Sequence, residues 1–170
     1  MIQRKTFILL TGLFAPVFEG SSQEIRTYAG VGVPDWFHVG VSYEISDKNE
    51  FGVQIGSALI NGTGKTVTPG LEFRRYFGTS KKFQQAKTWF FGTRLIYLNS
   101  NQLGEIRRHD GFSTLTIGRN HHISRKSGIS IDYGILLHVL EVEETNSASN
   151  RREDAPFIFP SLNIRFFRLF

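Results

Sequence analysis

The sequence predicts an all-β fold in which eight antiparallel strands follow one another up and down in chain order. Three observations support this prediction. From Glu24 onward, apolar and polar residues alternate with a period of two, as in a strand with one apolar face. Turn-forming residues interrupt that alternation at steady spacing. The chain also has 17 Gly and few segments of helical periodicity, and its 170 residues fit a single domain.

The composition excludes several classes of function. The chain has no Cys, so disulfides, thiolate metal sites and cysteine nucleophiles are excluded. The formal net charge of +5 would suit a nucleic-acid ligand, but the charges are dispersed and several Arg fall where a strand would turn them inward. We therefore expect no nucleic-acid partner. No apolar stretch is long enough for a membrane-spanning helix.

Residues 1–22 have the pattern of a secretory signal peptide. Two basic residues, Arg4 and Lys5, precede an apolar stretch over Thr6–Phe18, and small residues stand at the −3 and −1 positions of the cleavage site. A buried N-terminal strand or helix is the alternative. The sequence therefore predicts export, and cleavage that leaves residues 23–170 as one mature domain.

The predicted strands are longer than those of most soluble domains. They cover residues 24–33, 36–46, 50–60, 66–77, 86–99, 111–121, 127–142 and 157–170. Strands of soluble proteins average about 5–6 residues, whereas a tilted strand needs about 9–11 residues to cross a bilayer. The connections Gln102–Asp110 and Glu143–Pro156 are among the longest, and in a membrane barrel the long connections are extracellular.

One face of each predicted strand is apolar and the other is polar. In the second strand the apolar face consists of Phe37, Val39, Val41, Tyr43 and Ile45. A soluble sandwich and a membrane barrel give the same alternation, but the export signal, the strand lengths and the aromatic ends of the apolar face favour a transmembrane barrel with a packed polar interior. Eight strands enclose only enough room for side chains, so we do not expect a wide pore.

The polar faces carry charges of both signs. The residues expected to form a charge network in the lumen are Arg26, Glu44, Glu72, Arg74, Arg94, Asp132 and Arg165. Because an unpaired buried charge is costly, these side chains should pair with one another inside a closed barrel. His38 and His138 also fall on inward positions and are expected to join the network.

Two strands resemble those of a known family. The last strand, Pro160–Phe170, ends on an aromatic residue after alternating apolar positions, and it resembles the C-terminal signature of bacterial outer-membrane β-barrels; Arg168 departs from the alternation. Val67–Phe77 is also similar to strands of the small porin-family barrels. The resemblance implies an OmpA/OmpX-like barrel in the bacterial outer membrane. It further implies a monomer in contact with outer-membrane lipid and lipopolysaccharide, inserted by the barrel assembly machinery, which reads Phe170.

Two alternatives stay open. The pair His122 and Ser124 resembles the His-x-Ser pair of the outer-membrane lipid A deacylases, which implies a lipid-modifying enzyme with these two residues as catalytic candidates. The pair falls at a predicted periplasmic turn, however, whereas the family's pair faces the outer leaflet. The second alternative is a soluble secreted β-barrel that binds an apolar ligand, and it requires an apolar lumen.

The remaining motifs are weak. Asn61–Thr66 is similar to a phosphate loop, but Leu59 stands where the pattern needs Gly, so a hairpin loop is favoured. His121 and His122 are adjacent on a strand and should point to opposite faces, so we expect no metal and no cofactor. The polar segment Asn146–Asp154 is predicted to be a surface loop. We therefore expect a structural, adhesive or surface-binding role exercised through such extracellular loops.

Overall fold

The structure is a computed structural model that describes residues 24–58, 66–79, 86–102, 106–145 and 157–170. Outside these ranges lie the predicted signal peptide, residues 61–65 of the phosphate-loop-like motif and the predicted surface loop over 146–154. In the part of the chain that is described, no helix is long and apolar enough to cross a membrane.

The described residues form eight strands. These are β1 (Ile25–Gly32), β2 (Phe37–Ser46), β3 (Asn49–Ala58), β4 (Thr66–Tyr76), β5 (Trp89–Gln102), β6 (Ile106–His122), β7 (Ser127–Thr145) and β8 (Ile158–Leu169). Each strand pairs antiparallel with the next, and β8 pairs with β1. The prediction of an all-β, eight-stranded, antiparallel up-and-down barrel is thus confirmed.

The first and last strands close the barrel along a full seam. Their register runs from Arg26 opposite Leu169 to Gly32 opposite Asn163. Beyond the seam's end, the amide of Phe170 donates a hydrogen bond of 2.9 Å to the carbonyl of Ile25. Because both edge strands are paired, the described sheet leaves no open edge that could template pairing with another chain.

The two ends of the barrel differ. We call the end that holds Ile25 and Phe170 the terminal end; the turns at 47–48 and 123–126 and the connection from β4 to β5 also lie there. We call the opposite end the far end. Its one fully described connection is the turn over 33–36, in which the Val33–Pro34 peptide bond is cis.

One predicted connection is wrong in extent. The segment Gln102–Asp110 was expected to be a loop, but β5 and β6 stay paired from Asn99 opposite His109 to Gln102 opposite Ile106. β7 likewise extends to Thr145 rather than ending at residue 142. The alternation of apolar and polar residues disappears in the 99–110 segment because the residues of both faces are mostly polar there, so a period-two pattern cannot reveal the strand.

Burial alternates along the described parts of the strands, and most of the buried side chains are polar. In β8 the buried residues are Ser161, Asn163, Arg165, Phe167 and Leu169, and the residues between them are exposed. The largest fully buried side chains of the described residues are four arginines, namely Arg26, Arg74, Arg94 and Arg165. The packed centre of this protein is therefore a polar lumen.

The outward side chains are predominantly large and apolar. We refer to those along the middle of the strands as the apolar belt: Val39, Val41, Val53, Leu71, Leu95, Leu115, Ile131, Ile135, Leu162 and Ile164. All of them are exposed. This arrangement of an apolar exterior around a polar lumen is the reverse of a soluble domain.

Candidate functional site

A carboxylate at the centre of the lumen joins two arginines. Glu72 accepts hydrogen bonds from Nη1 of Arg165 at 2.7 and 2.9 Å, and from Nε and Nη2 of Arg74 at 2.9 and 3.3 Å. All three side chains are almost completely buried. Charge-assisted hydrogen bonds of this kind stabilise a carboxylate that is buried away from the solvent.

The same arginine also reaches a second carboxylate. Nη2 of Arg165 forms a close ion pair with Oδ2 of Asp132 on β7. The other oxygen of Asp132 accepts a hydrogen bond of 3.1 Å from the amide of Asn163. Arg165 therefore links β8 to β4 and to β7 at once, and each partner is itself hydrogen-bonded.

A second carboxylate centre lies nearer the terminal end, around Glu50. It accepts hydrogen bonds from the hydroxyls of Ser42 at 2.6 Å and Tyr76 at 2.7 Å. Nε of Arg26 lies 3.4 Å away and Nη1 of Arg74 lies 3.7 Å away. Because Arg74 contacts both this centre and Glu72, the two centres form one continuous chain of charges.

Glu50 is absent from the set of lumen residues that the sequence predicts. It occupies the first position of the predicted third strand, on the face opposite Phe51, Val53 and Ile55. The sequence could have revealed it: Glu50 lies four residues before Gln54, and residues two or four apart share a face of a strand.

Aromatic rings surround the buried guanidinium groups. Cζ of Arg26 lies 4.5 Å from the ring centroid of Phe167, and Cζ of Arg74 lies 4.8 Å from that of Phe90. Guanidinium groups are attracted to the faces of aromatic rings, particularly when both are desolvated. These rings fill the space between the ion pairs and contact the guanidinium groups with their faces.

Arg94 differs from the other three lumen arginines. Its side chain is only 1% exposed, yet none of its three guanidinium nitrogens has a hydrogen-bond partner among the described residues. In the sheet it stands opposite Glu72 on one side and Thr114 on the other. The structure therefore places Arg94 in the lumen without bringing it into the hydrogen-bonded chain of charges.

Glu44 also lies apart from the central chain. Its carboxylate contacts the Nζ of Lys87 at 2.6 Å, and both side chains are part-buried near the terminal end. The sequence predicts that the fifth strand begins at residue 86, whereas β5 begins at Trp89, so Lys87 precedes the strand. Lys87 pairs with Thr79 in the hairpin that joins β4 to β5, and this hairpin gives it an inward position.

The turn between β1 and β2 folds into the far end of the lumen. Asp35 in this turn has a side-chain exposure of 0%, and its Oδ2 accepts a hydrogen bond of 2.8 Å from the amide of Gln54. Burial raises the pKa of the Asp35 carboxyl above its ordinary value. No feature of the sequence indicated this contact, because Asp in a turn normally faces water.

The two inward histidines take different positions. His138 lies 3.1 Å from a carboxylate oxygen of Asp110, and its ring is flanked by those of Phe112 and Phe157 at centroid distances of 5.0 and 4.8 Å. His38 is fully buried, and neither of its ring nitrogens has a hydrogen-bond partner within the described ranges. Neither histidine hydrogen-bonds to a residue of the predicted charge network.

His122 and Ser124 each have a hydrogen-bond partner of their own. Nε2 of His122 lies 3.0 Å from the carbonyl of Lys87. The hydroxyl of Ser124 is exposed, contacts that of Ser127 at 2.8 Å and accepts hydrogen bonds from the backbone amides of Lys126 and Ser127 at 3.2 and 3.0 Å. This is the local pattern by which serine stabilises a turn, and it lies at the terminal end.

The last residue of the chain is exposed beside the seam. The guanidinium of Arg168 lies 5.4 Å from the centroid of the Phe170 ring, and Phe170 is held by its backbone bond to Ile25. Across the described ranges, no three His, Asp or Glu side chains come together as metal ligands would.

Comparison with known proteins gives no relative: no family model, no curated protein and no solved structure matches this chain.

Proposed function

We propose that the chain is a small integral protein of the bacterial outer membrane. The observation that carries this proposal is the reversed burial of the barrel. Fully charged side chains such as Arg74 and Arg165 are buried, while Phe91 and Leu95 on the outside are each 57% exposed. Lipid is the solvent that makes such an exterior favourable, and a polar lumen is the usual interior of barrels that cross membranes.

Aromatic residues at both ends of the apolar belt support the proposal. Trp36 and Phe37 are exposed at the far end, whereas Phe77 and Trp89 are exposed at the terminal end and stack on each other at 6.4 Å. Aromatic side chains favour the two interfaces of a bilayer, because their rings are apolar and their edges or N–H groups are polar.

The packing of the lumen argues against a wide pore and against an apolar ligand. Arg165 and Glu72 meet across the interior, and Phe90 and Phe167 fill the space beside the other arginines. We therefore infer a structural, adhesive or surface-binding role, exercised at the far end of the barrel. The far end would then face the outside of the cell, and lipopolysaccharide and outer-membrane lipid would be its neighbours.

The proposal includes a route to the membrane. Residues 1–22 would direct export and be cleaved, and the C-terminal strand ending at Phe170 would be recognised by the barrel assembly machinery. The exposed position of Phe170 at the terminal end is compatible with such recognition. We propose that the inserted protein is a monomer; its closed sheet leaves no edge in the described residues for strand pairing with another copy.

Fractionation and gel migration test the proposal. The protein should be found in the outer-membrane fraction, and the unboiled sample should migrate differently from the boiled one, because a closed barrel resists detergent at room temperature. A soluble periplasmic protein whose mobility does not depend on heating would contradict the proposal.

A pair of substitutions tests which solvent covers the belt. Leu115 on β6 and Ile123 in a terminal-end turn are 50% and 64% exposed. In a bilayer, Leu115→Arg should lower the free energy of unfolding by about 2–4 kcal/mol and Ile123→Arg by about 0–1 kcal/mol. If water covered both positions, the two variants should each stay within about 0.5 kcal/mol of the parent protein.

A further inference from the structure

A furrow interrupts the outer surface of the barrel on one side. It has a volume of about 570 Å³ and crosses β4 and β5. Its lining includes Val53, Leu71 and Leu95, which are neighbours in successive strands. Pro69 and Tyr97 line it as well. The lining is almost entirely apolar, and three of these residues belong to the apolar belt.

The furrow follows from local departures from regular sheet structure. Pro69 has no amide hydrogen to donate, and β4 and β5 are unpaired at Thr68 and Pro69, between the pairs Val67–Asn99 and Gly70–Ile96, with no change of register. On the neighbouring strand Gly111 has no side chain, and the register between β6 and β7 shifts between Gly111 and Phe112. The outer layer of side chains is therefore thin at this place.

A polar pair stands beside this apolar lining. The Tyr97 hydroxyl forms a short hydrogen bond with Nδ1 of His109, and the two rings stack with centroids 5.9 Å apart. Tyr97 lines the furrow, while His109 lies further toward the far end of the barrel. The furrow thus has apolar walls and a hydrogen-bonding group at the side nearer the far end.

We propose that this furrow binds one acyl chain of a membrane lipid in the leaflet at the far end of the barrel. The inference rests on the proposed function. Because the walls of the furrow are continuous with the apolar belt, the solvent that covers the belt must also fill the furrow. An acyl chain matches the apolar walls, and the Tyr97–His109 pair offers a hydrogen-bond donor or acceptor to the lipid's polar head group.

Photo-crosslinking tests this site directly. The full-length mature protein is inserted into phosphatidylcholine vesicles that contain a small fraction of phosphatidylcholine with a diazirine on one acyl chain. After illumination, adducts are mapped by mass spectrometry of peptides. We expect adducts on β4 and β5 to exceed severalfold those on the outer faces of β1 and β8.

A matched pair of variants provides the control. Leu71 in the furrow and Leu162 on the opposite wall are 47% and 51% exposed. Leu71→Trp should fill the furrow and remove the excess of adducts on β4 and β5, whereas Leu162→Trp should leave that excess unchanged.

Each contrary outcome has a distinct meaning. Adducts spread evenly around an inserted, heat-modifiable barrel would overturn the acyl-chain site and leave the proposed function standing. Fewer adducts on β4 and β5 than on β1 and β8 would show that protein, such as a second copy of the chain, covers the furrow instead of lipid, and would also overturn the inference. A chain that fails to insert into vesicles would overturn both proposals.

Discussion

Arg165 on β8 and Glu72 on β4 meet in the lumen although 93 positions separate them in the chain, and Nη1 of the arginine lies 2.7 and 2.9 Å from the two carboxylate oxygens. In an eight-stranded barrel these strands are four apart in either direction, so they belong to opposite walls. The ion pair therefore ties the two halves of the barrel together through its interior. Its loss should lower the free energy of unfolding of the whole barrel.

Removing Arg165 should be far more damaging than removing Arg94. Arg165→Met leaves the carboxylates of Glu72 and Asp132 without their strongest partner and should lower the free energy of unfolding by about 3–5 kcal/mol. Arg94→Met removes a buried guanidinium that has no hydrogen-bond partner among the described residues, so it should stay within about 1 kcal/mol of the parent. Urea unfolding of the folded protein, followed by the fluorescence of Trp36 and Trp89, measures both. Equal losses would mean that the two arginines are equivalent.

The charge of Glu50 should matter more than any one of its hydrogen bonds. Glu50→Gln leaves Arg26 and Arg74 short of a buried counter-charge and should lower the free energy of unfolding by about 3 kcal/mol or more. Tyr76→Phe removes one hydrogen bond of 2.7 Å while keeping all charges, and should lower it by about 0.5–1.5 kcal/mol. The same urea titration ranks the two variants. A larger effect for Tyr76→Phe would contradict the view that Glu50 acts as a shared counter-ion.

Gly118 faces a crowded part of the lumen, so an added methyl group should be destabilising there. A Cβ at Gly118 would come within 2.7 Å of the Cβ of Asp132 and would clash with the buried ring of Phe90. Gly118→Ala should therefore lower the free energy of unfolding by about 1–3 kcal/mol.

Gly92→Ala is the matched control for this prediction. The added Cβ would meet the movable hydroxyl of Thr116 at 2.8 Å, and its next neighbours in Phe90 lie at 3.6 Å or more. This variant should lose clearly less stability than Gly118→Ala. Comparable losses in the two variants would show that the lumen tolerates neither methyl group.

The buried turn at the far end should respond to pH through Asp35. Because burial raises the pKa of this carboxyl in the folded state, the folded protein binds the proton more tightly than the unfolded chain does. The stability contributed by Asp35 is therefore fully present below its ordinary pKa of 3.8 and declines as pH rises through the raised pKa. Asparagine does not titrate, so Asp35→Asn should gain stability relative to the parent protein as pH increases.

Unfolding of the parent and of Asp35→Asn at about pH 4 and about pH 8 measures this difference. If Asp35→Asn instead lost stability relative to the parent between about pH 4 and about pH 8, that result would contradict the raised pKa and the buried position of the Asp35 carboxyl.

The alternation of residue types was sufficient to predict the number, order and faces of the strands. It could not predict which inward side chains meet, because Arg94 and Arg165 have the same sequence pattern and differ only in what the register of distant strands places beside them. It also failed between Asn99 and Asp110, where a strand with two polar faces resembles a loop. The inward turn at Asp35 gave no sequence signal.

The seam between β1 and β8 has a consequence for how the barrel is assembled. Because β8 follows the other seven strands in the chain, the contacts of highest sequence separation can form only after β1 to β7 have been made. Until β8 is in place, Glu72 has its hydrogen bonds from Arg74, but both Glu72 and Asp132 lack those from Arg165. A sheet without β8 would thus leave Asp132 without its ion pair in the lumen, so the electrostatics of the lumen favour the barrel in which all eight strands are in place.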